Sequence, residues 1–381
     1  MSRSPAPPKS GASRRRFLQR ASAAAGSGAL GFPVVARAQG PIAMRLQTRW
    51  SPDDPFHDEA RAIARRVSDM AGGDLRIQVL PADGAVPDAS LLDAVAKGAV
   101  DGAHGVLNSH YARHPAFGLW GHGPAFGMDA NLLLAWHRHG GGAELLKKVY
   151  AAIGIVDVVS LLYGPMPTQP LGWFRKRIAS VGDLKGLKVR AVGMAAELYE
   201  ALGAKVEPLG RAAIVPALGE GRIDGAVAGN PTSARAIGLP AAAGVCMLQG
   251  YHQSAEHFEM LFNKAKFHAL PPKLRAILEN AVEAQSAAFS WKSADQHSRD
   301  YVALRKEGIR AYRTSDPLLR RQLAAYEAVA GKHRSNPLFQ EVERSQRAFA
   351  ERAVRWAIDT QVDPYMAHRY FFMGSAASRK R

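Results

Sequence analysis

The sequence predicts an α/β fold: two βαβ-type domains around a cleft, braced by a long spanning helix. Three observations carry this. Residues 92–103 (LDAVAKGAVDGA) and 215–226 (VPALGEGRIDGA) spell one module twice, a short amphipathic helix stopped at Gly98 or Gly221 and then an apolar strand. Glycine suits the left-handed backbone just past a helix end. Around each copy, strand and helix patterns alternate as parallel strands with helical crossovers require. From Pro271-Pro272 a helical pattern then runs to about Glu307. At 1.5 Å per residue that is roughly 50 Å, longer than one domain is wide.

Taken in order, Ala43–Trp50 alternates as a strand, and Pro55–Met70 places Phe56, Ile63, Val67 and Met70 on one helical face before Gly72-Gly73 stops it. Leu75–Leu80 reads as a second strand, 88–97 as a helix and Val100–Gly105 as a third strand. The second unit repeats this with strand Leu187–Val192, helix Met194–Leu202, strand Lys205–Leu209, helix 211–220 and strand Ile223–Ala228. In both modules the Asp-Gly pair, Asp101-Gly102 and Asp224-Gly225, is expected to end or bend the strand. Residues 39–165 with 234–280 form domain I, and 166–233 with 281–330 form domain II, including the long helix. Residues 331–381 supply a C-terminal helix, Pro337–Ile358, and a basic tail, Ser375–Arg381. Ligands sit beyond the carboxyl ends of the strands in open parallel sheets, which puts the site between the two sheets.

Lys+Arg 50 against Asp+Glu 33 suggests a polyanion partner. Part of that excess belongs to residues 1–38, where Arg14-Arg15-Arg16 precede a weak Ala/Gly-rich apolar run and Ala36-Arg37-Ala38. This is the order of a twin-arginine signal peptide with its cleavage site, which predicts export to the periplasm. Without it the chain still carries 43 basic and 33 acidic residues. No basic stripe is interleaved with aromatics, so nucleic acid is excluded as a partner. The lone Cys246, in the run Val245-Cys246-Met247-Leu248, cannot form an intrachain disulfide and reads as a small buried apolar residue.

The stretch Ser180–Arg190 (SVGDLKGLKVR), then Ala217–Ala226, then Phe262-Asn263-Lys264, resembles the extracytoplasmic solute-binding subunit of TRAP transporters, the DctP family. Tyr111, Pro115–Phe117, Pro124–Met128, Asn230–Ser233 and Gly250–Gln253 resemble its branch that binds monocarboxylates, 2-oxo acids or lactate. The resemblance implies a two-domain periplasmic-binding-protein-like fold. It also implies capture of a small organic carboxylate, a 2-oxo or 2-hydroxy acid or related monocarboxylate, for delivery to the integral membrane subunits. No enzymatic step is implied. Some members of the branch form a homodimer through a C-terminal helix, for which Pro337–Ile358 is the counterpart here.

The resemblance assigns Arg190, at the end of its strand, as the clamp on the ligand carboxylate. Guanidinium geometry suits that role, being bidentate and charged at every relevant pH. Gln169 is implied to contact ligand or metal, and its amide both donates and accepts. Asn230 and His252 are polar companions. Trp50, Tyr111, Phe117, Trp173 and Tyr251 are the aromatic candidates for the cleft. Relatives place an acid after the Asp-Gly-Ala element that helps bind a bridging Na⁺ or Ca²⁺. Here Val227 stands there, followed by Ala228-Gly229, and Ala234 replaces a second acid. Hard cations need several oxygen ligands, so no metal cofactor is expected. Val227 and Ala228 are also expected to leave room for a bulkier acid.

His104, His110, His114, His122, His137 and His139 crowd one stretch and motivate a rival reading, an exported metalloenzyme using this cluster. No His-Glu-x-x-His occurs and no Cys is nearby, so surface and loop histidines are the expected reading. A sensory partner in place of a transporter is a third reading.

Overall fold

The computed structural model describes residues 40–166 and 169–373. The signal-peptide assignment (1–38) and the basic tail Ser375–Arg381 lie outside the described residues.

The first lobe begins with β1 (Ile42–Thr48), α1 (Pro55–Met70), β2 (Leu75–Leu80), α2 (Leu91–Ala96) and β3 (Gly102–Val106). β1 lies between β2 and β3, and both pairings are parallel. α1 forms where expected because Asp54 caps it and Pro55 opens it. Its Phe56, Ile63 and Val67 are buried against the sheet. α3 (Ala130–His139) and α4 (Gly142–Ala152) follow, then β4 (Val158–Met166), the sheet's outer strand.

The chain then crosses to the second lobe: β5 (Gly172–Phe174), β6 (Lys188–Arg190), α5 (Met194–Ala201), β7 (Lys205–Glu207), α6 (Ile214–Gly219) and β8 (Gly225–Ala226). Here β6 lies between β7 and β8, again parallel, and β5 runs antiparallel to β8. α7 (Pro231–Ala236), α8 (Leu239–Ala243) and β9 (Val245–Met247) stay in this lobe. Leu239, Ala243 and Cys246 pack with Trp173 in its core. The return to the first lobe therefore falls later than the expected residue 234. Only with β10 (Glu256–Asn263), antiparallel to both β3 and β4, does the first sheet regain the chain. Cys246 is buried and free, and burial raises its thiol to about 12.

After α9 (Lys264–Ala269) comes the long brace, α10 (Pro272–Lys306). Leu274, Leu278, Val282 and Phe289 lie in the first lobe's core, and Leu304 lies in the second's. Each such buried side chain contributes roughly 1.5–3 kcal/mol, so one helix is fastened to both cores. β11 (Arg310–Tyr312) then joins the second sheet beside β9, α11 (Asp316–His333) packs on α5, and α12 (Pro337–Thr360) packs on α4 and α3. α13 (Pro364–His368) follows. No described helix is long and apolar enough to cross a membrane.

The duplicated module is real, with one correction: Asp-Gly opens the strand instead of ending it. Asp101 N–H donates to Arg45 O at 2.9 Å, while its carboxylate accepts from Arg45 N–H at 2.5 Å. Asp224 does the same with Lys188, at 2.7 and 3.0 Å. In each lobe the aspartate supplies the first rung of a parallel ladder before the backbone reaches regular register. That rung explains why the residue recurs at this point.

Candidate functional site

A cleft of about 570 Å³ lies between the lobes, inside the range for small-molecule sites. Its walls are mostly residues at or just past strand carboxyl ends: Arg49 and Trp50 after β1, Asn108 and Ser109 after β3, Arg190 ending β6, and Arg211 beyond β7. Trp50, Phe56, Val106 and Met166 give it an apolar side in the first lobe.

Arg190 is half-buried, and its guanidinium is held in place by backbone alone. Nε donates to Leu209 O and Nη1 to Val227 O, each at 2.9 Å. Two hydrogens of Nη2 and one of Nη1 meet no acceptor among the described residues. Burial, then the neighbouring Arg211, pulls its pKa down to about 10. A guanidinium fixed by neutral carbonyls, close to a second cation and without a carboxylate partner among the described residues can take up an anion. The other two arginines of the cleft differ. Arg211 pairs with Asp54 across the lobes at 2.8 Å, and Arg49 pairs with Asp88 at 2.6 Å. Arg49 is lowered chiefly by burial, and Asp88 is raised by burial against the opposing pull of Arg49.

The lobes are in contact around the cleft. Tyr111 O–H donates to Glu197 on α5, and His333 Nε2 lies 2.9 Å from the same hydroxyl. Burial, with the Glu197 bond second, raises the Tyr111 phenol. His122 Nδ1 accepts from Ala195 N–H at 3.1 Å, and burial holds this imidazole near 3, hence neutral. Gly193 sits at φ +58°, where a Cβ would lie 2.3 Å from Asn108 Oδ1. Only glycine allows that approach.

Of the residues singled out in the sequence, Arg190, Gln169, Tyr111 and Trp50 line the cleft. Gln169 uses Oε1 to accept from Gly229 N–H at 3.2 Å. Trp173 does not line it: it is 1% exposed in the second lobe's core, with Nε1 donating to Gly229 O. Phe117 is likewise core. Asn230 caps α7 through Ser233 N–H and lines a separate small pocket. Tyr251 lies in an outer groove with Phe126 and Tyr326. His252 is sealed behind the cleft, its ring edge-on to Tyr199 at 5.7 Å, and burial lowers it to about 4. Val227 and Ala228 do not widen the cleft either, because both side chains turn into the two cores.

The histidines are not surface groups: His104, His110, His114, His122 and His137 are buried, and only His139 is exposed. They do not converge on one point. His104 bonds Tyr163, His114 accepts from Ala116 N–H, and His137 accepts from Trp120. Among the described residues no group of three or more His, Cys, Asp or Glu could hold a metal ion.

Sequence reasoning missed Arg49, Asn108, Arg211 and Glu256. The first three follow from the rule of strand carboxyl ends once the strands are placed. Glu256 comes from the starting end of an antiparallel strand, whose direction leaves no mark in the sequence.

A family model, bacterial extracellular solute-binding protein, family 7, matches residues 46–333. A monocarboxylate 2-oxoacid-binding periplasmic protein of Nostoc sp. is 31% identical over 240 residues, 63% of this chain. The match spans 65% of that protein's length, just under two thirds. A TRAP transporter solute-binding protein from Bordetella bronchiseptica superimposes with TM-score 0.80 at 24% identity, covering 89% of this chain and all of that one. It is described as a dimer with copurified calcium and picolinate in one site. Another from Colwellia psychrerythraea, with bound calcium and pyruvate, gives TM-score 0.78 at 25% identity, over 84% of this chain and 97% of that one.

Proposed function

The chain belongs to the bacterial extracellular solute-binding proteins of family 7, and from that premise we propose that it captures a small organic carboxylate and delivers it to the membrane subunits of a TRAP transporter. The ligand class is a 2-oxo or 2-hydroxy acid or related monocarboxylate. The observation that carries the reading is Arg190, a fixed cation in the cleft with unengaged N–H groups and no acidic partner among the described residues. A carboxylate arriving there gains charge-assisted hydrogen bonds and relieves the proximity of Arg211. Closure of the lobes then withdraws the pair from water, and the closed form is what the membrane subunits receive. The names of the Nostoc and Colwellia relatives point to the same ligand class.

Binding on this reading needs no bridging cation. In the place where such an ion would gain an acid, Val227 is apolar, its carbonyl is engaged by Arg190, and Gln169 Oε1 is engaged by Gly229 N–H. This leaves fewer oxygen donors at that place than a hard cation usually takes. Export by the twin-arginine route rests on Arg14-Arg15-Arg16 and Ala36-Arg37-Ala38. Pairing into a homodimer through the C-terminal helix is supported by its apolar outer end, where Trp356 and Ile358 are about 70% exposed.

The test is a thermal-shift panel of residues 39–381 against 2-oxo, 2-hydroxy, aromatic and dicarboxylic acids, with Arg190→Ala in parallel. A ligand at a hundred times its dissociation constant adds about 2.7 kcal/mol, a midpoint shift of a few degrees. A shift with monocarboxylates that disappears in Arg190→Ala is expected. No shift with any acid, on folded protein, overturns the reading.

A further inference from the structure

β10 runs antiparallel to β3, so its first residues stand at the edge where the parallel strands end. Phe258 pairs with Val106, the last residue of β3, and Glu256 pairs with Met166 at the end of β4. Glu256 is thereby delivered to the cleft wall although it is 5% exposed. Its Oε2 accepts from Gln253 Nε2, and its Oε1 meets no partner. Oε1 lies against Gly121, where a Cβ would come within 2.7 Å of it. No cation pairs with this carboxyl among the described residues, even though Arg190, Arg211 and Arg49 share the cleft.

A buried carboxylate without a counter-ion is costly, and the group takes a proton instead. Building on the carboxylate-binding reading, we propose that Glu256 is a proton-bearing group in the wall of the ligand site, where it must be neutral for the anion to bind. Its unpaired Oε1 is sealed against Gly121, so an ionised Glu256 would set an uncompensated negative charge in the wall beside the bound acid, and capture is coupled to protonation of this side chain. Burial alone raises Glu256 to about 8, which agrees with a neutral carboxyl at ordinary pH.

The neighbours do not blur this coupling. His122, from the loop after residues Pro115–Trp120, and His252, from the approach to β10, are held neutral by burial near 3 and 4. Gln253 and Met166 do not titrate. Arg49 is committed to Asp88 and Arg211 to Asp54, and Arg190 loses its proton only near 10. When Glu256 ionises, its charge faces that of the ligand in the same low-dielectric space.

Isothermal titration of pyruvate and 4-methyl-2-oxopentanoate from pH 6 to 9.5 tests the proposal. Affinity should hold to about pH 7 and fall about tenfold per pH unit above the transition. Glu256→Gln, which keeps a donor but cannot ionise, should bind within about fivefold of wild type at pH 7 and stay flat through the window. Titration of the wild type in buffers of different ionisation enthalpy should show uptake of about half a proton per ligand near pH 8. This arm needs no variant. Flat wild-type affinity with no proton uptake overturns the proposal while leaving the function intact. An equal fall in Glu256→Gln also overturns it. If neither acid nor any member of the wider panel binds at pH 6, the functional reading fails and this inference fails with it.

Discussion

The two lobes are built on one plan and bring different electrostatics to the cleft. In each, a central strand, β1 or β6, lies between two parallel neighbours, and an aspartate supplies the first rung for the third strand. In each, an antiparallel strand then brings a polar residue to the cleft edge, Glu256 at β10 and Gln169 before β5. Yet the first lobe arrives neutral, because Arg49 is cancelled by Asp88 and Glu256 is held protonated by burial. The second arrives positive, because Arg190 is held by carbonyls alone. Topology thus decides where side chains appear. What each one does is decided by the partner it is given.

The sharpest way to break that comparison is to remove the arginines in turn. Arg190→Ala should weaken carboxylate binding by about 100-fold or more, the scale for losing a desolvated charge pair. Arg49→Ala should cost about tenfold at most, since its charge is already spent on Asp88. Equal losses by calorimetry would erase the distinction between the lobes. Next in size is Gly193→Ala at the seam. It places a Cβ against Asn108 and strains a φ of +58°. The expected loss of affinity is about ten- to hundredfold, with scattering showing a more open molecule on ligand addition.

Stability against pH separates the lobes in a third way. Glu256 has a folded pKa raised from 4.5 to about 8 by burial. The folded state keeps its proton after the unfolded chain has lost it, so this contribution is full below 4.5 and drains away as pH climbs through 8. Wild type should therefore lose ground to Glu256→Gln in urea midpoints between pH 5.5 and 8.5. Midpoints that move together would remove the burial argument. A fourth comparison sets Asp101→Ala against Asp224→Ala. Each should destabilise by about 1–2 kcal/mol without altering affinity at saturation. The smallest expected effect is that of a chelator: on the proposed reading, in which no bridging cation is needed, affinity in EDTA should match that in calcium within about twofold.

Much of the scaffold was legible because it is written in local periodicity. α1 and β2 fall at the expected bounds, and the brace that begins at Pro272 runs to Lys306 as its pattern foretells. Strands of the second lobe came out shorter than their apolar runs, since only the paired core of each run enters the ladder. The site was legible where strand ends carry it, as with Arg190 and Trp50. It was not legible where a side chain's direction decides, since Trp173, Tyr251, Asn230 and His252 sit near the right loops but face elsewhere. Long-range pairing is what turns them, and one chain read alone does not contain it. The histidines show the same limit. Their crowding in sequence is real, but His104, His114 and His137 end in different packing environments.

The chain passes between the lobes four times: between Met166 and Gly172, between Met247 and Glu256, along α10, and between α11 on the second lobe and α12 on the first. One tether would let two bodies tumble and two would let them shear. Four leave rotation of one lobe against the other as the main freedom. On the proposed function the lobes would shut like a book and not like a pair of sliding plates, with the contacts of Asp54 to Arg211 and of Asn108 to Gly193 marking the closed register. An observer outside the cleft could read from the angle of the covers alone whether a page lies between them.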